Sequence, residues 1–304
     1  MRPRQSLACR SYIPFFIALF SCGCQLLGDR ASRDQERQKV ALIDARQAQG
    51  EVLGLDQPRR ERLELATSGL LQRDGELESW VLPLIASYLP PGSEVPKRVH
   101  LAVNQVAPLI LTLDGIKIDV MAPWWEGRSQ WVGVIQGLYL SALSALAEVA
   151  PPQGHVEPET LEAFSGVLLD QLQRLGMASF VAGHGVDAAS ATKDFTLFMP
   201  RQQVEARVQV LQLVLREVQG GLAPAAAWSQ LESAQRRDGV IAVTGAYMAK
   251  VIEARLGKAA LVQLVQQGPR AFYTAYRETE PGALVFVPLP VPSSPSPSRQ
   301  ATAH

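Results

Sequence analysis

The chain has 304 residues, of which 47% are hydrophobic and 19% are charged, and its formal net charge is zero. A chain of this length can bury the core of one large domain or of two small ones. Nucleic-acid binding requires a strongly basic surface, so the balanced charge argues against a nucleic-acid partner.

The first 21 residues are predicted to be a bacterial lipoprotein signal peptide. Three arginines precede the apolar run SYIPFFIALF, which is shorter than the roughly 20 apolar residues of a membrane-spanning helix. The run leads into Leu19-Phe20-Ser21-Cys22, which resembles a lipobox. Cys22 is therefore the predicted lipidation site, and Cys24 is the alternative. The competing interpretation is an ordinary secretory signal with incidental cysteines.

The residues around the lipobox also predict a location. Gly23 follows Cys22, where an Asp would hold a lipoprotein at the inner membrane in the general bacterial sorting pattern. We therefore expect an outer-membrane protein that a lipid anchors on its periplasmic or surface face, with an envelope protein as a candidate partner. The chain has three cysteines, all in or beside this segment, so the rest of it has no disulfide, thiol nucleophile or cysteine-based metal site.

Composition divides the remaining chain into three parts. Residues 22–57 are predicted to form a polar tether, residues 58–280 one folded domain, and the Pro- and Ser-rich residues 281–304 a disordered tail. Two helical segments should open the domain. The second, ELESWVLPLIASYLPPG, is expected to end before Pro90-Pro91, because proline disfavours a helical conformation in the residue before it.

A change of hydrophobic period marks residues 98–121 as a small sheet. The segment RVHLAVN alternates, and LILTLDGIKIDVMAP contains two β-rich runs joined by Asp114-Gly115. An Asp-Gly pair between such runs is a strong signal for a β-hairpin. We predict a meander of about three strands, antiparallel or mixed.

From Pro123 the pattern is helical almost to the end. Helices are predicted at about 128–149, 157–176, 201–219, 223–235, 239–256, 258–267 and 269–278. Asp238 and Gly257 are the predicted caps of the helix 239–256. A small sheet that precedes a helical majority predicts the α+β fold class.

The segment WVGVIQGLYLSALSAL, residues 131–146, is apolar on nearly every face, which is typical of a helix buried on most sides. Gln136 and Leu140 lie four residues apart and share one face. Zinc peptidases use this spacing in HExxH, where two His side chains bind one zinc ion and the Glu between them is the general base.

The order of the elements and two segments resemble a family of gluzincin-type zinc metallopeptidases over residues 98–278. The segments are GMASF (176–180) and GAYMAKVIEARLGKAAL (245–261). In that family one helix carries HExxH, and a second helix carries a ligand Glu in a segment resembling EGIAS. The C-terminal stretch of the family resembles Gly-x-x-Met-Ala, then Ile-Glu, Gly and Leu. The resemblance implies a peptidase scaffold.

The same resemblance places the zinc site on residues that do not bind zinc. The two His positions fall on Gln136 and Leu140, the general base falls on Gly137, and the third ligand falls near Leu175. Leucine and glycine offer no ligand atom, and one amide oxygen is a poor zinc ligand. We expect no catalytic residue, metal or cofactor here, and a pseudoenzyme that acts by binding or scaffolding. Without the resemblance, the helix is ordinary core.

Two other functional classes compete with the pseudoenzyme hypothesis. An active hydrolase with a different site would have to use His184, Asp187 and Glu162. A His near an Asp can act as a base with its orienting partner, although GHGVD is also typical of a simple turn. The third class is a structural component of an envelope machine.

A cluster of tryptophans is the best candidate for a binding surface. Trp124, Trp125 and Trp131 lie close together in APWWEGRSQW. Tryptophans can stack on ligands or rest at an interface. The competing interpretation is that these side chains fill the junction between the sheet and the helix that follows it.

Overall fold

A computed structural model describes residues 43–44, 56–72, 74–102, 109–112, 114–119, 130–146, 158–185 and 201–280. Several predictions of the sequence analysis lie outside the described residues. They concern the signal peptide with Cys22 and Cys24, most of the tether, Trp124 and Trp125, Asp187, and the tail 281–304.

The described strands form one mixed sheet in the order β1-β2-β4-β3. Its strands are β1 (Ile43–Asp44), β2 (Arg98–Ala102), β3 (Leu109–Leu111) and β4 (Gly115–Asp119). The predicted hairpin is confirmed, because β3 and β4 are antiparallel and adjacent. A consecutive meander would place β3 in the middle, whereas here β4 pairs with β2 in parallel. The two residues of β1 come from the segment expected to be a tether, and they pair in parallel with β2.

Gly115 is required by the close approach of β2. A Cβ atom at this position would overlap the Arg98 carbonyl oxygen. The Arg98 N–H also donates to the Asp114 carbonyl oxygen at 3.0 Å. Gly115 is not among the glycines with positive φ in the described residues. The Asp-Gly signal therefore located the hairpin correctly, but the reason for the glycine is the neighbouring parallel strand.

Helices make up most of the structure, so the predicted α+β class is confirmed. They are α1 (Gln57–Gln72), α2 (Asp74–Glu76), a π-helical segment (Leu77–Val81), α3 (Leu82–Ala86), α4 (Gln130–Leu146), α5 (Leu161–His184), α6 (Arg201–Gln219), α7 (Pro224–Asp238), α8 (Val240–Leu256), α9 (Lys258–Gln267) and α10 (Pro269–Thr279). None of the described helices is long and apolar enough to cross a membrane.

The start of α8 differs from the prediction. Asp238 is the last residue of α7, and the linking residue Gly239 has a left-handed conformation with φ of 63°. The predicted N-cap role of Asp238 was therefore wrong. The Gln235 side-chain oxygen instead accepts from the N–H groups of Ile241 and Ala242, at 2.7 and 3.1 Å. The predicted C-cap Gly257 is confirmed.

Two glycines allow α5 and α8 to cross at very short range. A Cβ at Gly176 would overlap the backbone of Gly245, and a Cβ at Gly245 would overlap the Leu172 carbonyl oxygen. This crossing explains why α5 continues through Gly176 to His184, past its predicted end. The two segments that carry the resemblance therefore pack directly against each other.

The helix α4 lies between the sheet and α5, which explains its apolar character on nearly every face. On the sheet side, a Cβ at Gly137 would lie 2.7 Å from Leu109 Cδ1 and 3.0 Å from Ile116 Cγ2. On the other side, α4 packs against α5. Both faces are thus covered by neighbouring elements.

Candidate functional site

The positions that the resemblance assigns to zinc ligands lie on the interface between α4 and α5. Gln136 Nε2 donates to Ser179 Oγ at 3.1 Å, and Arg174 Nη2 donates to Ser144 Oγ at 2.6 Å. The two helices are therefore antiparallel. Leu140 lies one turn after Gln136, and Leu175 lies one turn before Ser179, so both fall between these two hydrogen bonds.

The chemistry of this interface does not fit a zinc ion. Leu140 is 4% exposed, and Leu175 packs partly buried against the core. The Gln136 side-chain oxygen is buried without a hydrogen-bond partner, and it is the only side-chain oxygen among the four assigned positions. A catalytic zinc needs three protein ligands with nitrogen, oxygen or sulfur atoms. Across the described ranges, no three His, Cys, Asp or Glu side chains could hold a metal ion together.

The position assigned to the general base faces away from this interface. A side chain at Gly137 would point into Leu109 and Ile116 of the sheet. A carboxylate there would be buried among apolar atoms, which is costly without a partner. The Gly137 position therefore serves helix-on-sheet packing.

His184, at the end of α5, belongs to a polar junction that the sequence analysis only half identified. Its Nε2 lies 3.5 Å from Glu253 Oε2 on α8. The imidazole stacks on the Tyr88 ring with 5.4 Å between centroids, and it meets the edge of Phe180 at 4.7 Å. Glu253 was missed because it lies far from His184 in the sequence and resembles any other helix glutamate.

Tyr88 holds this junction together. Its hydroxyl donates to Glu253 Oε1 at 2.8 Å. Burial, and then the hydrogen bond to Glu253 and its charge, raise the pKa of Tyr88, so the phenol keeps its proton. Lys258 Nζ lies 3.8 Å from the centre of the Tyr88 ring and 2.6 Å from Ser87 Oγ. The junction therefore ties the end of α3 to α5, α8 and α9.

Two residues of the hypothesised hydrolase site, Glu162 and His184, lie far apart, and the third, Asp187, lies outside the described residues. Glu162 lies in the first turn of α5 and His184 at its end, about 33 Å apart along the helix axis at 1.5 Å per residue. The Glu162 side chain is 75% exposed and lies 4.0 Å from Arg270. Glu162 therefore cannot act with His184, and the partner of His184 in the described structure is Glu253.

Trp131 fills a junction and does not form a binding surface. It is 4% exposed. Its Nε1 donates to Glu76 Oε2 at 2.9 Å, and its ring meets the edge of Trp80 at 5.8 Å between centroids. Trp131 is therefore buried, but its contacts join the start of α4 to α2 and the π-helical segment, whereas the competing interpretation placed it between the sheet and the helix.

Comparison with known families gives one match. Residues 191–279 match a family described as "Putative zinc dependent peptidase (DUF5700)". The matched stretch is less than half of the chain and includes α6 to α10, whereas α4 and α5 precede it. Over this stretch the chain is similar to a zinc-peptidase family. No curated protein and no solved structure matches the chain.

Proposed function

We propose that the protein is a non-catalytic envelope lipoprotein whose zinc-peptidase-like scaffold acts by binding or scaffolding. The observation that carries the proposal is the closed interface between α4 and α5. Where the resemblance places the zinc ligands, this interface contains Leu140, Leu175 and the single amide of Gln136.

Two features support descent from a peptidase scaffold. The C-terminal helices are similar to the zinc-peptidase family over residues 191–279. The glycine crossing of α5 and α8 joins both segments that carry the resemblance. In this proposal the scaffold has been kept, while the ligand positions have become helix-packing positions.

Peptide hydrolysis by the purified mature chain tests the loss of catalysis. We expect no cleavage of a mixed-sequence peptide library in the presence of added zinc. Gln136→Ala, which removes the one remaining ligand atom, should behave in the same way. Cleavage that a zinc chelator abolishes, and that Gln136→Ala also abolishes, would overturn the proposal.

A further inference from the structure

A half-open cavity of about 440 Å³ lies beyond the hydrogen bond between Ser144 and Arg174. Its lining comes from α4, α5 and the α9–α10 corner, together with Pro90, and includes Leu143, Asp170, Arg174, Met177 and Val265. Its volume lies within the roughly 300–1,000 Å³ of typical small-molecule sites. The cavity is separate from the positions assigned to zinc, so the inference below goes beyond the proposed function.

Two opposite charges, one helical turn apart, line this cavity. Asp170 and Arg174 are four residues apart on α5, so their side chains leave the same face of the helix. Burial raises the pKa of Asp170, and the nearby charge of Arg174 opposes this effect only in part. Within the described part of the chain, no residue hydrogen-bonds to the Asp170 carboxylate or pairs with it within 4.0 Å.

Arg174 retains capacity for a second partner. Its guanidinium has five N–H donors, and the hydrogen bond to Ser144 Oγ at 2.6 Å uses one of them. Guanidinium groups bind carboxylates through paired donors. The cavity therefore presents the Asp170 carboxylate, which can pair with a cationic group of a ligand. It also presents the Arg174 guanidinium, which can pair with an anionic group.

Apolar atoms cover the remaining wall. Leu143 and Met177 are buried core residues, and Val265 packs partly buried against the same core. A ligand that fits this lining combines an apolar side chain with both charges at one end. An amine alone would lie next to Arg174, and a carboxylate alone would lie next to Asp170, so each would meet a like charge.

We propose that this cavity binds a free apolar α-amino acid. Its ammonium group pairs with Asp170, its carboxylate pairs with Arg174, and its side chain lies against Leu143, Met177 and Val265. The two charges of an α-amino acid share one carbon atom, which suits two helix residues whose Cβ atoms are about 5–6 Å apart.

Calorimetric titration of the mature chain with L-leucine and its analogues tests the proposal. We expect saturable binding of L-leucine. Binding of 3-methylbutylamine, which lacks the carboxylate, and of 4-methylpentanoate, which lacks the ammonium group, should be weaker by roughly tenfold or more. Glycine, which lacks the apolar side chain, should also bind more weakly. These analogue comparisons use the unaltered chain, so they do not depend on any variant folding.

Variants locate the binding in the cavity. Asp170→Asn and Arg174→Gln should each weaken leucine binding by roughly tenfold or more. Glu162→Gln, which changes an exposed carboxylate on the same helix, is the matched control and should leave binding unchanged. Absence of saturable leucine binding, equal binding of the amine, or unchanged binding in Asp170→Asn would each overturn the proposal. Peptide hydrolysis reports on the α4–α5 interface, so the two proposals can fail separately.

Discussion

Asp170 is a carboxylate whose surroundings favour its neutral form. Burial is the largest influence and raises the pKa of Asp170 above the ordinary aspartate value. The folded state therefore binds a proton more readily than the unfolded chain does. Because of this difference, the contribution of Asp170 to stability is least favourable above its folded pKa and improves as the pH falls through that pKa.

Asp170→Asn is therefore expected to stabilise the ligand-free protein at neutral pH. The amide keeps the shape of the side chain and removes the buried charge. The gain in melting temperature should shrink as the pH falls through the raised pKa of Asp170 and approaches the ordinary aspartate range. Thermal unfolding of both proteins across this range measures the effect. A gain that grows towards acid pH would contradict the assignment.

A second prediction concerns a substitution at Gly137. Gly137→Glu would put a glutamate at the position that the resemblance assigns to a general base, and its carboxylate would lie against Leu109 and Ile116. Overpacking and an unpaired buried charge together should lower the free energy of unfolding by about 3 kcal/mol or more. Urea unfolding measures the loss.

Gly166→Glu is the matched control for this substitution. Gly166 also lies within a helix, but its Cβ direction is open, with no atom within 4 Å. The substitution should be neutral or stabilise by up to about 1 kcal/mol, because glycine is a poor helix former. Equal stability of the two variants would mean that α4 does not rest on the sheet through Gly137.

Among the helices, α5 and α8 cross at very short range. A Cβ at Gly245 would overlap a backbone oxygen, so a side-chain rotation cannot relieve it. Gly245→Ala should therefore cost about 1–3 kcal/mol of unfolding free energy despite the better helix propensity of alanine. Gly69→Ala in α1, where the Cβ direction is open, should not destabilise the protein. Denaturant unfolding of both variants tests the crossing. A loss of unfolding free energy in Gly69→Ala, with no such loss in Gly245→Ala, would contradict it.

Some features of the helices and strands follow from local sequence patterns, and others do not. Local patterns located the hairpin at Asp114-Gly115 and the bounds of α6 and α9, because turn chemistry and helical periodicity are local signals. The pairing of β2 with β4 depends on a contact between distant segments, and no local pattern specifies it. The continuation of α5 through Gly176 likewise depends on its distant partner Gly245.

Like the fold, the candidate site could be predicted from the sequence only in part. The sequence assigned Gln136 and Leu175 to one site only through the resemblance, and that assignment stays a prediction. The contact between His184 and Glu253 was not predictable, because it joins the end of one helix to the side of another. For Trp131 the sequence left a binding surface and a buried junction open, and its hydrogen bond to Glu76 and its burial come from tertiary packing.

At the scale of the whole molecule, the lipid anchor is a prediction from the lipobox alone. We expect Cys22→Ala to abolish incorporation of labelled palmitate and to release the chain from the membrane fraction. Cys24→Ala is the matched control and should leave both properties unchanged. Incorporation that persists in Cys22→Ala and disappears in Cys24→Ala would move the anchor to Cys24, and persistence in both variants would refute lipidation at this motif.

The zinc content of the mature chain tests the proposal that a zinc-peptidase-like scaffold has lost its metal site. After incubation with zinc and removal of the free metal, elemental analysis should find far less than one zinc ion per chain. Among the four positions assigned to the zinc site, Gln136 is the only one with a side-chain ligand atom, so Gln136→Ala should give the same low value. One tightly bound zinc ion per chain would contradict the proposed loss of the metal site, and its disappearance in Gln136→Ala would place that zinc at the α4–α5 interface.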